Sequence, residues 1–548
     1  MNEMEFSLLD EKWIRVVRPD AAAEEVSLTD ALLHAHEYAD LAGELPTQDI
    51  AVLRLLLSVL HTVFTRYDCQ GQETPLRTAN DALRRWKQLW ELRRFPEQPL
   101  RAYLAAWHER FWLFHSERPF YQVNEAAIGT EGKAYKLNGE ISQSSNKVRL
   151  FSLRSGAQKE QLSYGEAARW LLYINGFDDT SAKPKGKDLP TPGIGWLGKL
   201  GLIIAEGENL FETLMLNMVL LPAGKLWEKK EQPCWELDTP RSGERVQIAM
   251  PQNAAELLTL QSRRILLQRE GTAVMGYALL GGDFFPRENT LQEQMTVWQD
   301  VTDKKGNHQY YQPKRHDATR QMWREFGAIF SVQNEHKRKP GVVNWVVYLQ
   351  KARLIDQVKN VHFRIASVQY GDKDFFVKHV FDDRLSFHAE LLTEAGLAGY
   401  ERAELEIANV ETAAKYIGWL AQNLLLAAGD HGEDHVSKMR EKAQERFFDL
   451  VDAPFRLWLA ALDPGTGTDA LGEQQLVWRK QVKGLALQLS REMVEQAGSA
   501  AFVGRTVKVK VKNKDVKKTY NAPMAVNRFL GQLNGLYPSN REEGMTSE

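Results

Sequence analysis

The last third of the chain carries the hydrophobic pattern of long amphipathic helices. Its apolar residues recur at spacings of three and four, beginning with Val410, Ala413, Ala414, Ile417, Leu420 and Leu424. This period predicts a first helix that ends at Gly429. The same pattern predicts further helices over 433–461, 476–496 and 522–536. Four amphipathic helices of this length bury their apolar faces most simply in a four-helix bundle.

The preceding part of the chain mixes short strand patterns with helical ones. Trp13 and Val16 suit a short strand. Ser27 or Thr29 can cap the helix that follows. Pro46 suits the first turn of a long apolar helix. This mixture is typical of an α+β protein rather than of an all-helical one.

The two patterns predict two domains. We expect a mixed α/β domain with long loops over 1–388, followed by the four-helix bundle over 389–548. Three polar stretches of the first domain are expected to be long loops, at 138–161, 178–197 and 301–320. Long loops in compact domains often carry binding residues.

Composition narrows the classes of function. Hydrophobic residues make up 43% of the chain and charged residues 26%, which is typical of a globular protein. With 70 basic and 72 acidic residues, the formal charge is −2, so any nucleic-acid contact must be a local patch or be shared with partners. Cys69 and Cys234 cannot form a four-cysteine zinc site. The chain shows no secretory leader or membrane-span pattern, and we expect a cytoplasmic protein.

Short motifs follow one another along the chain in an order that is similar to one family. They are Phe6–Val16, Val26–Leu33, Glu44–Leu57, Arg118–Val123, Ser163–Tyr173 with Phe177 and Asp178, Trp323–Trp345 with its break at Lys339–Gly341, and Val368–Tyr370. Each motif consists of ordinary core and turn residues, so the specificity lies in their order and spacing. Together they resemble the CasA-type large subunit of the type I-E CRISPR Cascade complex.

The resemblance implies a non-catalytic, nucleic-acid-binding subunit of an antiviral surveillance complex. Such a subunit finds the protospacer-adjacent motif (PAM) on double-stranded DNA and helps to open the strands. It also holds the displaced strand and offers a docking surface for the helicase-nuclease. The implied partners are the guide RNA, the target DNA, the other Cascade subunits and that helicase-nuclease. No cofactor, metal or membrane is implied.

Two loops are expected to carry contacts by this resemblance. The first reaches the end of the guide RNA or a neighbouring subunit, and its candidate residues are Asn146, Lys147, Arg149, Phe151 and Arg154. The second follows the helix at 163–173 and lies against the PAM duplex, with Lys183, Lys185, Gly186 and Lys187 as candidates. Ser181 and Ala182 stand where the family pattern has glycine, so phosphate contact is favoured there over close backbone approach. The alternative for the first segment is a solvated loop with its Phe tucked into the domain, and for the second a mobile basic loop.

A hairpin is predicted over Val368–Val377, with Gly371 and Asp372 near its tip. In the family this hairpin pushes a wedge residue into the duplex beside the PAM. The aligned position is Asp374, but a carboxylate facing phosphates is unfavourable. Lys373 and Phe375 therefore remain alternative wedges.

The densest positive patch lies between Arg505 and Lys518. Valine and lysine alternate there, which predicts an exposed two-stranded or extended arm between bundle helices. Six lysines are candidate contacts to the displaced DNA strand, namely Lys508, Lys510, Lys512, Lys514, Lys517 and Lys518. A solvated edge or a protein-binding arm is the alternative.

One enzyme hypothesis remains open. His431 and His435 are four residues apart and would share a helix face, as metal ligands of a hydrolase do. They do not form an HExxH motif, and Asp430 or Asp434 would cap the helix that starts there. The Gly193–Gly198 segment has dinucleotide-binding spacing but follows a proline-rich loop, so we interpret it as a turn.

Overall fold

The structure is a computed structural model of the chain. It describes residues 4–138, 154–181, 183, 191–239, 241–245, 251–284, 291–332, 338–355, 360–430, 432–511 and 514–538. Two compact units are present. The first comprises Met1–Asp356 and His362–Arg384, and the second comprises Gln357–Val361 and Leu385–Glu548.

The first unit combines short helices with antiparallel strands. Its helices are α1 (Leu28–Leu33), α2 (Pro46–Arg66), α3 (Ala79–Leu92), α4 (Glu97–Ala106), α5 (Ala134–Leu137), α6 (Ala157–Glu160), α7 (Tyr164–Phe177), α8 (Leu210–Asn217), α9 (Ala254–Leu258), α10 (Phe326–Ile329) and α11 (Gly341–Lys351). Ser27 caps α1 by accepting a hydrogen bond from the Asp30 backbone, and Pro46 begins α2. Both sequence-based expectations are confirmed.

The strands of the described residues form several small sheets instead of one large one. They are β1 (Met4–Ser7), β2 (Ile14–Val17), β3 (Ala23–Val26), β4 (Asp40–Leu41), β5 (Trp112–His115), β6 (Thr130–Lys133), β7 (Leu202–Glu206), β8 (Arg263–Glu270), β9 (Ala273–Gly281), β10 (Trp298–Thr302), β11 (His308–Pro313), β12 (Asn360–Tyr370) and β13 (Val377–His388). The sheet orders are β1-β5, β3-β2-β4, β6-β9-β8, β10-β11 and β13-β12-β7. The expected loop at 301–320 is therefore partly a hairpin, because its His308–Pro313 segment pairs with β10.

Helix α2 is the core of the first unit. It is long and apolar enough to cross a membrane by length and composition, yet 94% of its apolar window is buried inside the structure. Its Arg54 is also buried and forms an ion pair with Glu293 at 2.8 Å. Burial alone would raise the pKa of Glu293, but the Arg54 ion pair and a hydrogen bond from Trp196 hold it below its ordinary value.

The second unit is the expected four-helix bundle. Its long helices are α12 (Leu397–Ala428), α13 (Glu433–Ala460), α14 (Thr468–Gln496) and α16 (Ala522–Leu536), with the short α15 (Gly498–Val503) before the last. A hairpin of β14 (Arg505–Val511) and β15 (Lys514–Tyr520) precedes α16. The predicted α+β fold class is confirmed.

Two details of the bundle differ from the expectation. Helix α14 begins at Thr468, before the start predicted at 476. The earlier start was missed because the first two turns of the helix are mostly polar and give no apolar period to detect. The N-cap of α13 is Gly432, not Asp430 or Asp434. Asp430 instead accepts a hydrogen bond from the Gly432 backbone just before the helix.

The buried pair predicts a stability effect. Replacing Glu293 with glutamine should destabilise the protein by about 3–5 kcal/mol, because the Arg54 guanidinium would stay buried without a counter-charge. Chemical unfolding followed by circular dichroism measures the effect. The matched control is Glu97→Gln, which breaks an exposed ion pair with Arg101 on α4 and should change stability little. Equal effects of the two substitutions would contradict this prediction.

Candidate nucleic-acid interface

Helix α7 positions the loop that was predicted to contact the PAM duplex. Ser163 and Glu166 form a capping box at its start. On its buried face, Arg169 donates to the Trp13 carbonyl at 2.6 Å and pairs with Glu44 at 2.5 Å. At its end, the Phe177 carbonyl accepts a hydrogen bond from the Tyr370 hydroxyl at 2.7 Å. Both ends of the helix are therefore fixed within the first unit.

Arg263 on β8 holds the loop that leaves α7. Its side chain is almost fully buried and forms an ion pair with Asp178, the first residue after the helix. The same guanidinium donates to the Asp179 carbonyl at 3.3 Å and to the Gly193 carbonyl at 2.6 Å. One arginine thus fixes both the start and the return of this loop.

Lys183 is not an exposed charge of this loop. Its ammonium group pairs with Asp178 at 2.9 Å and donates to the Asp179 and Ser181 carbonyls, and only 2% of the side chain is exposed. Burial lowers its pKa, and Arg263 adds to this effect, although Asp178 opposes it. The expected phosphate contact through Lys183 must therefore be revised. Lys185, Gly186 and Lys187 lie outside the described residues.

The predicted hairpin is present, with its turn between Tyr370 and Val377. Lys373, Asp374 and Phe376 have φ values of 55°, 58° and 45°, in the left-handed region. Such conformations cost about 1–3 kcal/mol each and persist only where neighbours enforce them. Gly371 has an ordinary φ, but a Cβ there would lie 2.7 Å from the Phe375 carbonyl oxygen, so close packing requires a glycine.

Hydrogen bonds join this turn to the loop after α7. The Thr180 backbone donates to the Asp374 carbonyl at 3.2 Å, and its hydroxyl donates to the Lys373 carbonyl at 2.9 Å. The Phe376 backbone donates to the Asp179 carboxylate at 2.7 Å. The structure thus brings together two segments, each of which the family resemblance had separately implied to contact the PAM duplex. We call residues 178–181 and 371–376 the loop–hairpin unit.

The side chains of the turn differ in their availability. Asp374 forms an ion pair with Arg315 at 2.7 Å, which neutralises the charge that made it an unfavourable wedge. Phe375 is 40% exposed, and Lys373 is exposed with no carboxylate within ion-pair distance among the described residues. Asp372 is also exposed. Asp372, Lys373 and Phe375 are therefore the exposed side chains of the turn, and Phe375 and Lys373 are the two that suit a stacked, negatively charged ligand.

The guide-RNA loop is described only at its end. Arg154 forms an ion pair with Glu166 at 2.7 Å. Glu166 is the residue that completes the capping box of α7. This contact gives Arg154 a structural role in the first unit. Asn146, Lys147, Arg149 and Phe151 lie outside the described residues.

The lysine arm is a two-stranded hairpin. Its register pairs Lys508 with Lys517, Lys510 with Asp515 and Val507 with Lys518. Directly paired residues occupy the same face of a hairpin. By this register, Lys508, Lys510 and Lys517 occupy positions of one face together with Asp515, and Lys514 and Lys518 share the other face with the valines of β14. Lys517 and Lys518 are exposed, and the Lys518 ammonium lies 5.1 Å from the Tyr520 ring centre. Lys514 follows the turn of the hairpin, and Lys512 lies outside the described residues.

The metal hypothesis gains nothing from the described residues. His435 contacts the Asp430 carboxylate, which also accepts a hydrogen bond from the Gly432 backbone N–H. Within the described ranges, no group of three or more His, Cys, Asp or Glu residues is placed to hold a metal ion. His431 lies outside them. The Gly193–Gly198 segment leads into a short 3-10 turn, which agrees with its interpretation as a turn.

Sequence reasoning missed Asp179, Arg263 and Arg315, which organise the loop–hairpin unit. The Asp178–Asp179 pair directly after a capped helix was a visible signal, because adjacent carboxylates need basic or backbone partners. Arg263 and Arg315 carried no such signal, since their partners are distant in the chain.

Comparisons with known proteins agree with this architecture. The family model for CRISPR-associated protein Cse1 matches residues 7–489. The CRISPR-associated protein CasA/Cse1 of Thermus thermophilus is 30% identical over 338 residues, which cover 60% of this chain and 61% of that relative. The chain therefore belongs to the CRISPR-associated Cse1 family, and the resemblance found in its motifs is confirmed.

Solved structures give the same answer for the fold. The crystal structure of Thermobifida fusca Cse1 superposes with a TM-score of 0.80 at 27% identity, covering 98% of both chains. A chain of a CRISPR RNA-guided surveillance complex superposes with a TM-score of 0.63 at 18% identity, covering 90% of this chain and 99% of that one. At that identity the second match shows the fold alone.

The bonding within the loop–hairpin unit can be tested directly. Asp179→Ala removes the acceptor of the Phe376 backbone, and hydrogen bonds to charged groups contribute about 1.5–3 kcal/mol. Amide exchange at Phe376 should therefore become about tenfold faster or more, as measured by hydrogen–deuterium exchange. Asp303→Ala is the control, because Asp303 accepts backbone hydrogen bonds in the separate β10–β11 turn. Unchanged exchange at Phe376 in the Asp179 variant would show that the turn does not depend on the loop.

Proposed function

We propose that this protein is the non-catalytic large subunit of a type I-E CRISPR RNA-guided surveillance complex that recognises the PAM on double-stranded DNA. Family membership and the fold shared with a surveillance-complex chain support the assembly. The observation that carries PAM recognition is the loop–hairpin unit, which presents Phe375 and Lys373 from a turn held by hydrogen bonds. By the family resemblance, the assembly acts in antiviral defence in the cytoplasm.

The loop–hairpin unit has the properties of a DNA wedge. Inserting an apolar side chain between base pairs costs a few kcal/mol of unstacking, so the wedge must not yield when it meets the duplex. The turn is held by Thr180 and Asp179 from one side and by Arg315 from the other. Phe375 supplies the apolar surface, and Lys373 supplies a charge for a nearby phosphate. Strand opening would begin at this point.

The lysine arm suits the strand that opening displaces. Single-stranded DNA is held mainly by its phosphates, and the arm places three lysines on one face by register. By the same register, Lys514 and Lys518 share the opposite face with the valines, so both faces offer positive charge to the DNA backbone. The remaining partners follow from the family: the guide RNA, the other subunits and a helicase-nuclease recruited after binding. The subunit itself needs no cofactor for these roles.

The wedge assignment is tested in the complete complex. Phe375→Ala should weaken binding to PAM-containing duplex by about tenfold or more, because the energy that offsets unstacking is lost. Assembly of the complex should be unchanged. Binding to a randomised PAM library measures the discrimination. Phe502→Ala removes another exposed phenylalanine, from α15, and should have no effect.

Lys373→Gln separates the two candidate residues. It should weaken binding to all duplexes alike and reduce the slope of log affinity against log salt by about 0.9. If both variants discriminate PAM from non-PAM duplexes as well as the unmodified complex does, the hairpin is not the PAM reader.

The arm is tested by removing three of its six lysines, those that share one face by register. Lys508→Gln, Lys510→Gln and Lys517→Gln together should flatten the salt dependence by about two units, at about 0.7 for each single-strand phosphate contact. The lifetime of the opened complex should shorten, while PAM preference stays the same. The control changes three exposed lysines of the bundle helices, Lys415, Lys438 and Lys480, to glutamine. A control triple with the same effect would reduce the arm to nonspecific charge.

A further inference from the structure

The first unit contains a cavity that the proposed function does not use. It has a volume of about 340 Å³ and lies beside the segment 118–123, one of the motifs singled out in the sequence. Ligand pockets typically begin at about 300 Å³, so the space fits a small molecule or one nucleotide unit. Its walls come from this motif, from the 234–242 segment and from Gln261.

Three arginines line this cavity, and they have few carboxylates within ion-pair distance. Arg110 donates only a long hydrogen bond to the Leu237 carbonyl at 3.4 Å, and neither Arg110 nor Arg118 has a carboxylate within ion-pair distance among the described residues. Arg241 pairs with Asp283 at 3.3 Å, but that carboxylate also serves Arg264 at 2.5 Å. The guanidinium groups of Arg110 and Arg118 therefore line the cavity without an ion-pair contact to a carboxylate of the described residues.

Carboxylates also lie around the cavity. Glu117 and Glu125 line it and Asp238 lies near Arg110, and all three, like Arg118, are exposed to water, where their fields are screened. Burial lowers the pKa of Arg110, and the neighbouring Arg118 lowers it further. An anion between Arg110 and Arg118 would relieve this repulsion.

The remaining wall is aromatic. Phe120 stacks on Phe111 at 5.1 Å and lies 6.3 Å from Trp235, whose indole nitrogen donates to the Tyr103 hydroxyl at 2.9 Å. Tyr121 has a φ of 56°, a left-handed conformation that is rare for a bulky residue and is concentrated at functional sites.

Two glutamines near the motif differ in role: Gln122 is structural, and Gln261 is available to bind a ligand. Gln122 is buried and bridges two strands, donating to the Leu113 carbonyl at 2.6 Å and accepting from the Leu267 backbone at 2.9 Å. Gln261 is 94% buried and lines the cavity, yet its side-chain amide has no hydrogen-bond partner within the described part of the chain. This amide is open to the cavity, where water or a ligand can satisfy it.

We propose that this cavity binds a nucleoside monophosphate unit. Guanidinium groups are suited to paired hydrogen bonds with phosphate, which assigns the phosphate to Arg110 and Arg118. The aromatic edges of Phe120 and Trp235 provide an apolar wall for the base, and the Gln261 amide can donate to or accept from its edge. The unit is either a free nucleotide or the terminal nucleotide of an RNA strand. This binding does not depend on PAM recognition.

Calorimetric titration of the full chain tests the proposal. The probes are AMP, GMP, CMP and UMP, with inorganic phosphate and adenosine as partial ligands. Saturable binding of at least one nucleotide is expected, and it should be tighter than that of either partial ligand. Competition by a short RNA with a terminal phosphate, but not by the same RNA without it, identifies a strand end as the source. Absence of competition identifies a free nucleotide.

Three variants locate the binding. Arg118→Gln should weaken it by about tenfold or more, and because this side chain is exposed and makes no hydrogen bond within the described residues, the fold should persist. Gln261→Ala should weaken it in a base-dependent way. Arg101→Gln, at an exposed position of α4 outside the cavity, is the matched control and should bind as the unmodified chain does. No saturable binding, phosphate binding as tight as nucleotide binding, or equal effects of Arg118→Gln and Arg101→Gln would overturn the proposal.

Discussion

The loop–hairpin unit, which is the candidate nucleic-acid interface, depends on the buried guanidinium of Arg263. It lies on a strand 85 residues after Asp178 in the chain, and it binds that carboxylate together with carbonyls from both sides of the loop. A buried arginine with an ion partner and several acceptors is costly to disturb, because any acceptor lost leaves charge unsatisfied. The loop after α7 is therefore held by a member of the core. Through Asp179 and Thr180, the same constraint reaches the turn that exposes Phe375.

This arrangement explains why acidic residues are frequent in a segment expected to meet phosphates. Asp178, Asp179 and Asp374 are engaged by Arg263, Lys183, Arg315 or backbone groups. Their carboxylates make internal contacts that hold the backbone of the turn in an unfavourable conformation. The exposed side chains of the turn are then Phe375, Lys373 and Asp372, and the first two suit a stacked, negatively charged duplex.

Periodic features of the fold were predictable from the sequence, whereas pairings across long distances were not. The helix expected over 433–461 is observed as Glu433–Ala460, and the last bundle helix matches at both ends, because a buried helix face repeats locally. The hairpin at 370 and the alternating arm were likewise local patterns. Lys183 was misjudged because its burial depends on carboxylates whose position is set by Arg263. The contact between the loop and the hairpin links residues nearly two hundred positions apart, such as Thr180 and Lys373, and no local pattern encodes it.

The register of the lysine arm has an energetic consequence. Lys508 and Lys517 occupy directly opposed positions, and like charges across a strand pair weaken it by about 0.2–1 kcal/mol. A polyanion along that face would act as the missing counter-ion and remove the repulsion. Ligand binding that favours the folded form stabilises it by mass action, so the arm would gain local stability when it is occupied. Its repulsive pair thus makes the order of the hairpin sensitive to any polyanion that lies along that face.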